Sequence, residues 1–169
     1  MIVFSKEAKA LKKSGVLEEF LVLMSEIEAG SWFDLKNPNH LKWLKSKISK
    51  RIGSGGIFYG FYDTDHLPIG LYCLMIEDHP TIAGHAELLD LGIIKTHRRK
   101  GYGRRLIQDA VSKSKAAGMY CLYVSTYEGD KGAIEFYRNC GFTPVATLPG
   151  LNGPNDQGQI YLQLVLDNL

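Results

Sequence analysis

The stretch LGIIKTHRRKGYGRRLIQDAV, Leu91–Val111, passes from an apolar strand pattern to an amphipathic helical one through a turn crowded with Arg98, Arg99, Lys100, Gly101, Gly103, Arg104 and Arg105. Downstream of the turn, Leu106, Ile107, Ala110 and Val111 fall on one face of a helix predicted from about Gly103 to Ala117. A loop that follows a strand and opens a helix faces the helix's first backbone N–H groups and the positive end of its dipole. Gly101 and Gly103 lack the Cβ atoms that keep an oxyanion off the main chain, and the basic side chains add positive charge. Phosphate or pyrophosphate is the ligand chemistry that fits. The same residues also read as a solvated basic loop that turns on glycine, or as a nucleic-acid contact. Two better-known phosphate signatures do not fit: GxxxxGK followed by Ser or Thr, and GxGxxG near the first strand.

Upstream, VLEEFLVLMSEIE (Val16–Glu28) places Val16, Phe20, Leu23, Met24 and Ile27 at helical spacing, and HLKWLKSKISKRI (His40–Ile52) is a second amphipathic segment. GGIFYGFYD and LPIGLYCLMIED, joined around DTDH at Asp63–His66, predict a β-hairpin. HAELLDLGII, from His85, predicts a third strand after a turn near Pro80 and Gly84. Beyond the central helix, Gly118 is a stop signal before the strand MYCLYVST, and a helix over about Lys131 to Asn139 ends at Gly141. FTPVATL and QIYLQLVLD supply two last strands, joined by PGLNGPNDQG. This order predicts one α/β domain over residues 1–169, with helices packed on a mixed sheet. In open sheets of this class ligands bind beyond the carboxyl ends of strands, near a break in strand order.

Composition narrows the partners. With 20 basic and 18 acidic residues the net charge is +2, so any basic site is local and no nucleic-acid partner is expected. Cys73, Cys121 and Cys140 are scattered, without a CxxC pair, which predicts reduced thiols in a cytoplasmic setting and no metal site. No apolar run approaches the roughly 18 to 20 residues of a membrane span, and MIVFSKEAKALKK lacks the pattern of a signal peptide. No membrane partner is expected.

At this point the sequence resembles the GNAT superfamily of acetyl-CoA dependent N-acyltransferases. Its motif, Gln or Arg then xxGxG or xxGxA after the fourth strand, is matched by Arg98-Arg99-Lys100-Gly101-Tyr102-Gly103. About thirty positions later GDKGAIEFYRNCGF is similar to the family's second segment, with Ala133, Ile134, Tyr137, Gly141 and Phe142 in register. The resemblance implies a fold with splayed central strands and acetyl-CoA as cosubstrate. Backbone amides from about Arg99 to Arg104 are then expected to cradle the coenzyme A pyrophosphate, with Arg98 at the motif's first position. Pantetheine is expected to run along the main chain of Leu91, Gly92 and Ile93, where Gly92 also suits a bulge. Asp130 stands where the family usually has Asn, which keeps an acceptor and loses a donor beside a polyanion. It is retained here as a cofactor-site candidate.

Moving acetyl from a thioester to an amine needs a neutral amine, a stabilised oxyanion and a proton for the departing thiolate, and direct attack needs no enzyme nucleophile. By the resemblance, Tyr137 is the general acid, approaching the coenzyme A sulfur, and the Ile93 N–H meets the oxyanion. Glu87 and Asp90 point to opposite faces of their strand, because their spacing is odd. Glu87 matches the glutamate that histone acetyltransferase relatives use as base; as an alternative it binds a cationic acceptor while water carries the proton away. His85, near the strand start, is a further candidate, or a structural or surface residue. The acceptor is a primary amine of a small molecule or a protein. In the family its side is lined by segments matching AGSWFDL, with Trp32 and Phe33, and LPGLNGPNDQG; Glu77, Asp78 and Glu87 form an acidic patch suited to a cationic amine. The resemblance also allows a homodimer paired through the strand-rich carboxyl end.

Overall fold

The structure, a computed structural model, describes residues 4–8, 16–28, 34, 36–77, 84–151, 153 and 158–166, with the backbone alone at 4–8, 16–20 and 28. The chain divides into two compact units, Met1–Met75 with Leu89–Leu106 and Ile76–Leu88 with Ile107–Leu169.

The first unit holds β1 (Phe4–Ala8), α1 (Val16–Glu28), α2 (Pro38–Gly53), β2 (Ile57–Tyr62), most of β3 (Pro68–Glu77) and the end of β4 (His85–Ile93). β1 pairs antiparallel with β2 from Phe4↔Tyr62 to Ala8↔Phe58, and β2 pairs antiparallel with β3 from Ile57↔Leu74. The β2–β3 turn falls on DTDH as expected. Asp63 organises it, its Oδ1 accepting from the N–H groups of Asp65 at 3.0 Å and Leu67 at 2.9 Å. α2 begins at Pro38, two residues before the first residue read as helical, because Asn37 caps it by accepting from Asn39 N at 3.0 Å, and proline needs no acceptor there.

Leu23 and Met24 of α1 pack with Leu44 and Ile48 of α2 against Leu71 and Cys73 of β3. Of the expected inner face of α1, Leu23, Met24 and Ile27 lie in or against this core, while the side chains of Val16 and Phe20 are outside the described residues. Two devices fix the helices to β4. The Asp90 carboxylate receives Lys47 Nζ at 2.8 Å and Arg51 Nε at 3.0 Å, and Arg51 Nη2 also donates to the Leu89 carbonyl at 3.2 Å. At Gly92, a methyl group would overlap Ile27 Cγ2, so this glycine is explained by the close approach of α1.

The second unit carries the start of β4, most of α3 (Tyr102–Ala116), β5 (Cys121–Tyr127), α4 (Lys131–Asn139), β6 (Thr143–Leu148) and β7 (Gln159–Val165). β4 and β5 are parallel from His85↔Cys121 to Leu88↔Val124, whereas β7 is antiparallel to both β5 and β6. Hydrogen-bonded neighbours follow the order β1-β2-β3-β4-β5-β7-β6, a mixed sheet of the expected α/β class. Leu106, Ile107 and Ala110 form the buried stripe of α3 that the periodicity predicted. β6 is exposed along its whole length, and Pro144 with a register shift between Pro144 and Ala146 interrupts it as a pairing edge. Among the described residues no helix is long and apolar enough to cross a membrane.

Two outcomes follow from the packing on β4. Asp90→Ala removes the acceptor that Lys47 and Arg51 share and lowers the unfolding free energy by about 2 kcal/mol in urea titration. Burial, reinforced by the Asp90 charge, pushes the Cys73 thiol up to about 12. At pH 8 only about one molecule in ten thousand then carries the thiolate, so iodoacetamide should leave Cys73 unmodified in the folded protein and alkylate it after denaturation.

Candidate functional site

In the first unit the site is built where β4 ends. A single 3-10 turn, Lys95–His97, follows the strand, and Arg98 continues in extended conformation at φ −66° and ψ 156°. Arg99 then adopts φ 64° and Gly101 φ 82°, both left-handed, on either side of Lys100. Left-handed residues within a turn can direct successive N–H groups into one concavity, an arrangement that binds anions. The conformation comes naturally to Gly101 and costs Arg99 about 1 kcal/mol. α3 opens directly on this loop, its ladder beginning with the Arg105 N–H donating to the Gly101 carbonyl at 3.3 Å. Its first turn contains no acidic residue and carries Arg104 and Arg105, so the turn adds positive charge at the positive pole of its own helix.

The predicted cradle residues are thus adjoining, but their side chains do different things. Arg99, Lys100 and Arg104 are exposed, whereas Tyr102 is buried, with its ring 5.9 Å from that of His97 and 6.0 Å from the Arg105 guanidinium. Arg98 is turned back on the protein: its Nε donates to the Ile93 carbonyl and its Nη2 to the Ile27 carbonyl, each at 2.9 Å. By its position in the motif Arg98 counts among the charges offered to phosphate, and neither carbonyl could be identified as its acceptor from the sequence. Leu91 is half-buried, and Gly92 and Ile93 are buried.

In the second unit Glu87 is half-buried on β4 and stands in register with Tyr123 of β5. His85 packs edge-on against Tyr123 at 5.6 Å between centroids, and its Nε2 lies 3.5 Å from Glu77 Oε2. The Tyr123 hydroxyl accepts from Gln163 Nε2 at 2.9 Å, and desolvation by burial raises its pKa, with the neighbouring Cys121 adding to the shift. One strand face therefore gathers Glu87 with a histidine, a tyrosine and an amide, of which the sequence had singled out only the first two. Asp90 is occupied by Lys47 and Arg51.

α4 explains the second motif. Asp130 is its N-cap, with Oδ1 accepting from the Ala133 N–H at 2.9 Å, so the carboxylate in place of the usual amide has a structural task at the positive pole of this helix. At the other end Gly141, at φ 96°, donates to the Arg138 carbonyl at 2.9 Å, and Phe142 N donates to the Tyr137 carbonyl at 3.1 Å. These two bonds form a Schellman ending, and the apolar contact that accompanies it is Tyr137 against Phe142, 5.7 Å between ring centroids. Tyr137 is 8% exposed.

Of the acceptor-side segments, Trp32, Phe33, Asp78, Asn152 and residues 154–157 lie outside the described residues. Among the described residues no group of His, Cys, Asp or Glu is placed to hold a metal ion.

Comparison with known proteins matches residues 17–142 to the model of the Acetyltransferase (GNAT) family. A Bacillus subtilis (strain 168) protein described as the uncharacterized N-acetyltransferase YvbK is 26% identical over 73 residues, a match that spans 43% of this chain and 44% of that relative. An acetyltransferase of Bacillus subtilis in complex with CoA superposes with a TM-score of 0.71 at 18% identity, covering 98% of this chain and 99% of that one. A GNAT family acetyltransferase from Elizabethkingia anophelis with acetyl-CoA bound gives a TM-score of 0.71 at 17% identity over 97% and 98% of the two chains. At such identities the solved structures speak for the fold, while the family match covers the basic loop and the helix ending at Gly141 alike. The chain belongs to the Acetyltransferase (GNAT) family.

Proposed function

We propose that this protein is an N-acetyltransferase that moves an acetyl group from acetyl-CoA directly to a primary amine of a small molecule or a protein. The observation that carries the reading is the left-handed pair at Arg99 and Gly101, opening onto a helix whose first turn is basic and contains no acidic residue. That chemistry fits a diphosphate, and the crystallised relatives with CoA or acetyl-CoA bound support the choice of ligand. Main-chain amides from Arg99 to Arg104, including those of Lys100, Gly101, Tyr102 and Gly103, hold the diphosphate, and Leu91, Gly92 and Ile93 offer their main chain to the pantetheine. Asp130 enters the cofactor site only through the helix that it caps.

The thioester supplies an activated acyl group; the protein supplies proton handling and charge stabilisation. Glu87 is assigned as base toward the acceptor ammonium, supported by its half-buried position on a face shared with His85 and Tyr123. Tyr137 is assigned as the acid for the leaving thiolate, and the Ile93 N–H as donor to the oxyanion. The scattered positions of Cys73, Cys121 and Cys140, without a CxxC pair, suit reduced thiols in a cytoplasmic setting. A second reading, a module that binds acyl-CoA without turning it over, draws support from Tyr137 itself, whose burial against Phe142 makes it a helix anchor whatever else it does.

Acetyl-CoA and CoA should each raise the melting temperature while ATP at equal concentration does not, the stabilisation reaching about 2.7 kcal/mol at a hundredfold excess over Kd; equal stabilisation by ATP would contradict the ligand assignment. Gly101→Val forces a β-branched side chain into left-handed backbone and should weaken CoA binding by about tenfold or more in calorimetry. Tyr137→Phe keeps the aromatic contact and removes the hydroxyl. If it is the acid, kcat falls about a hundredfold with CoA affinity unchanged; undiminished turnover removes Tyr137 from the chemistry.

A further inference from the structure

The main chain at the end of β4 is held from three directions, and each contact bears on one peptide group. Among the described residues all peptide bonds are trans, so successive N–H groups along a strand face opposite edges. The Ile94 N–H donates to the Ile69 carbonyl in β3 at 3.0 Å, which assigns Ile94 to the edge facing β3. Ile93 therefore presents both its N–H and its carbonyl to the opposite edge. That carbonyl is the acceptor for Arg98 Nε, at 2.9 Å. The Gly92 carbonyl, in the same peptide group as the Ile93 N–H, sits where a methyl on Gly70 would have to go, and Ile27 covers the Gly92 α-carbon. The Ile27 carbonyl in turn receives Arg98 Nη2 at 2.9 Å.

We infer that Arg98 is a positioning residue for the acyl-transfer step: its guanidinium holds the Ile93 main chain to the end of α1 and so fixes the direction of the Ile93 N–H. The inference rests on the acetyltransferase reading above and gives a different account of the first residue of the basic motif, whose side chain serves two carbonyls instead of phosphate. A planar fork can span two acceptors in this way, whereas an ammonium is a single point donor. An oxyanion donor acts through being fixed before charge develops, so loosening its peptide affects turnover more than ligand binding.

The test compares the wild type with Arg98→Lys and Gly70→Ala, measuring the Kd of CoA by calorimetry, the melting temperature, and kcat with acetyl-CoA and an acceptor chosen from an amine panel. Arg98→Lys keeps the charge and loses the bridge. The expected result is a CoA Kd within about threefold of wild type and a kcat reduced about ten- to a hundredfold. Gly70→Ala leaves the guanidinium in place and presses on the Gly92 carbonyl from the β3 side, so it should show the same split, and it decides the matter if Arg98→Lys fails to fold. A CoA Kd raised tenfold with kcat retained would return the guanidinium to the phosphate, and a lower melting temperature with both constants unchanged would reduce it to an ordinary structural tie; either overturns the inference. A wild type that neither binds CoA nor turns over on the panel would overturn the acetyltransferase reading itself, and this role with it.

Discussion

Ile27 lies on the bare α-carbon of Gly92, and the arrangement of the first unit around the basic loop depends on that contact. The last carbonyls of a helix have no partner within it and must find one elsewhere. Because α1 can settle directly on β4, the Ile27 carbonyl comes within reach of Arg98, which already holds the Ile93 carbonyl. One guanidinium thus closes two main-chain ends with charge-assisted bonds, which solvent weakens because Arg98 is exposed. A side chain at residue 92 would push α1 outward and leave the fork with one acceptor. The absent methyl group and the arginine form one device, although five residues lie between them in the sequence.

The electrostatics of the helices set α3 apart. α4 carries Asp130 at its N-cap and Arg138 in its last turn, and α2 ends in Lys50 and Arg51, each in the sense that the helix dipole favours. α3 begins with Arg104 and Arg105 and no acid, a choice that costs about 0.3 to 1 kcal/mol per charge when no anion is present. Arg99 adds the strain of left-handed backbone at the same place. Local rules that are kept in α2 and α4 and broken together at one loop point to a ligand that makes the break favourable.

Most of the architecture was legible because its elements are periodic: α1, α4 and the strands from β2 onward fall where the apolar patterns put them. β1 was not, since FSKEA has the polar composition of a short edge strand and gains its identity only by pairing with β2. Nothing in an arginine announces φ 64°, so the backbone form of the loop was expected from its glycines and is shared by Arg99. Asp130 could be read in sequence only as a lost donor near a polyanion; its capping bond to Ala133 explains it without the ligand. The task of Arg98 was out of reach for a different reason, because one of its two acceptors lies 71 residues away along the chain.

The two motifs that reveal the family are made largely of residues that shape the main chain. Gly101 and Arg99 turn the loop, while Gly141, Phe142 and the Tyr137 carbonyl close α4 with a Schellman ending. Such residues are tied to one backbone path, which is why they stand at fixed spacing and can be recognised without knowing the acceptor. Acceptor choice depends instead on side chains that only need to fit a particular amine, and no backbone geometry constrains their spacing. On the proposed acceptor side, Glu87, His85, Tyr123 and Gln163 come from β4, β5 and β7, and only strand register brings them to one face. A shared cofactor leaves its mark on the motifs, and the acceptor leaves its mark on pairings that form only once the sheet is built.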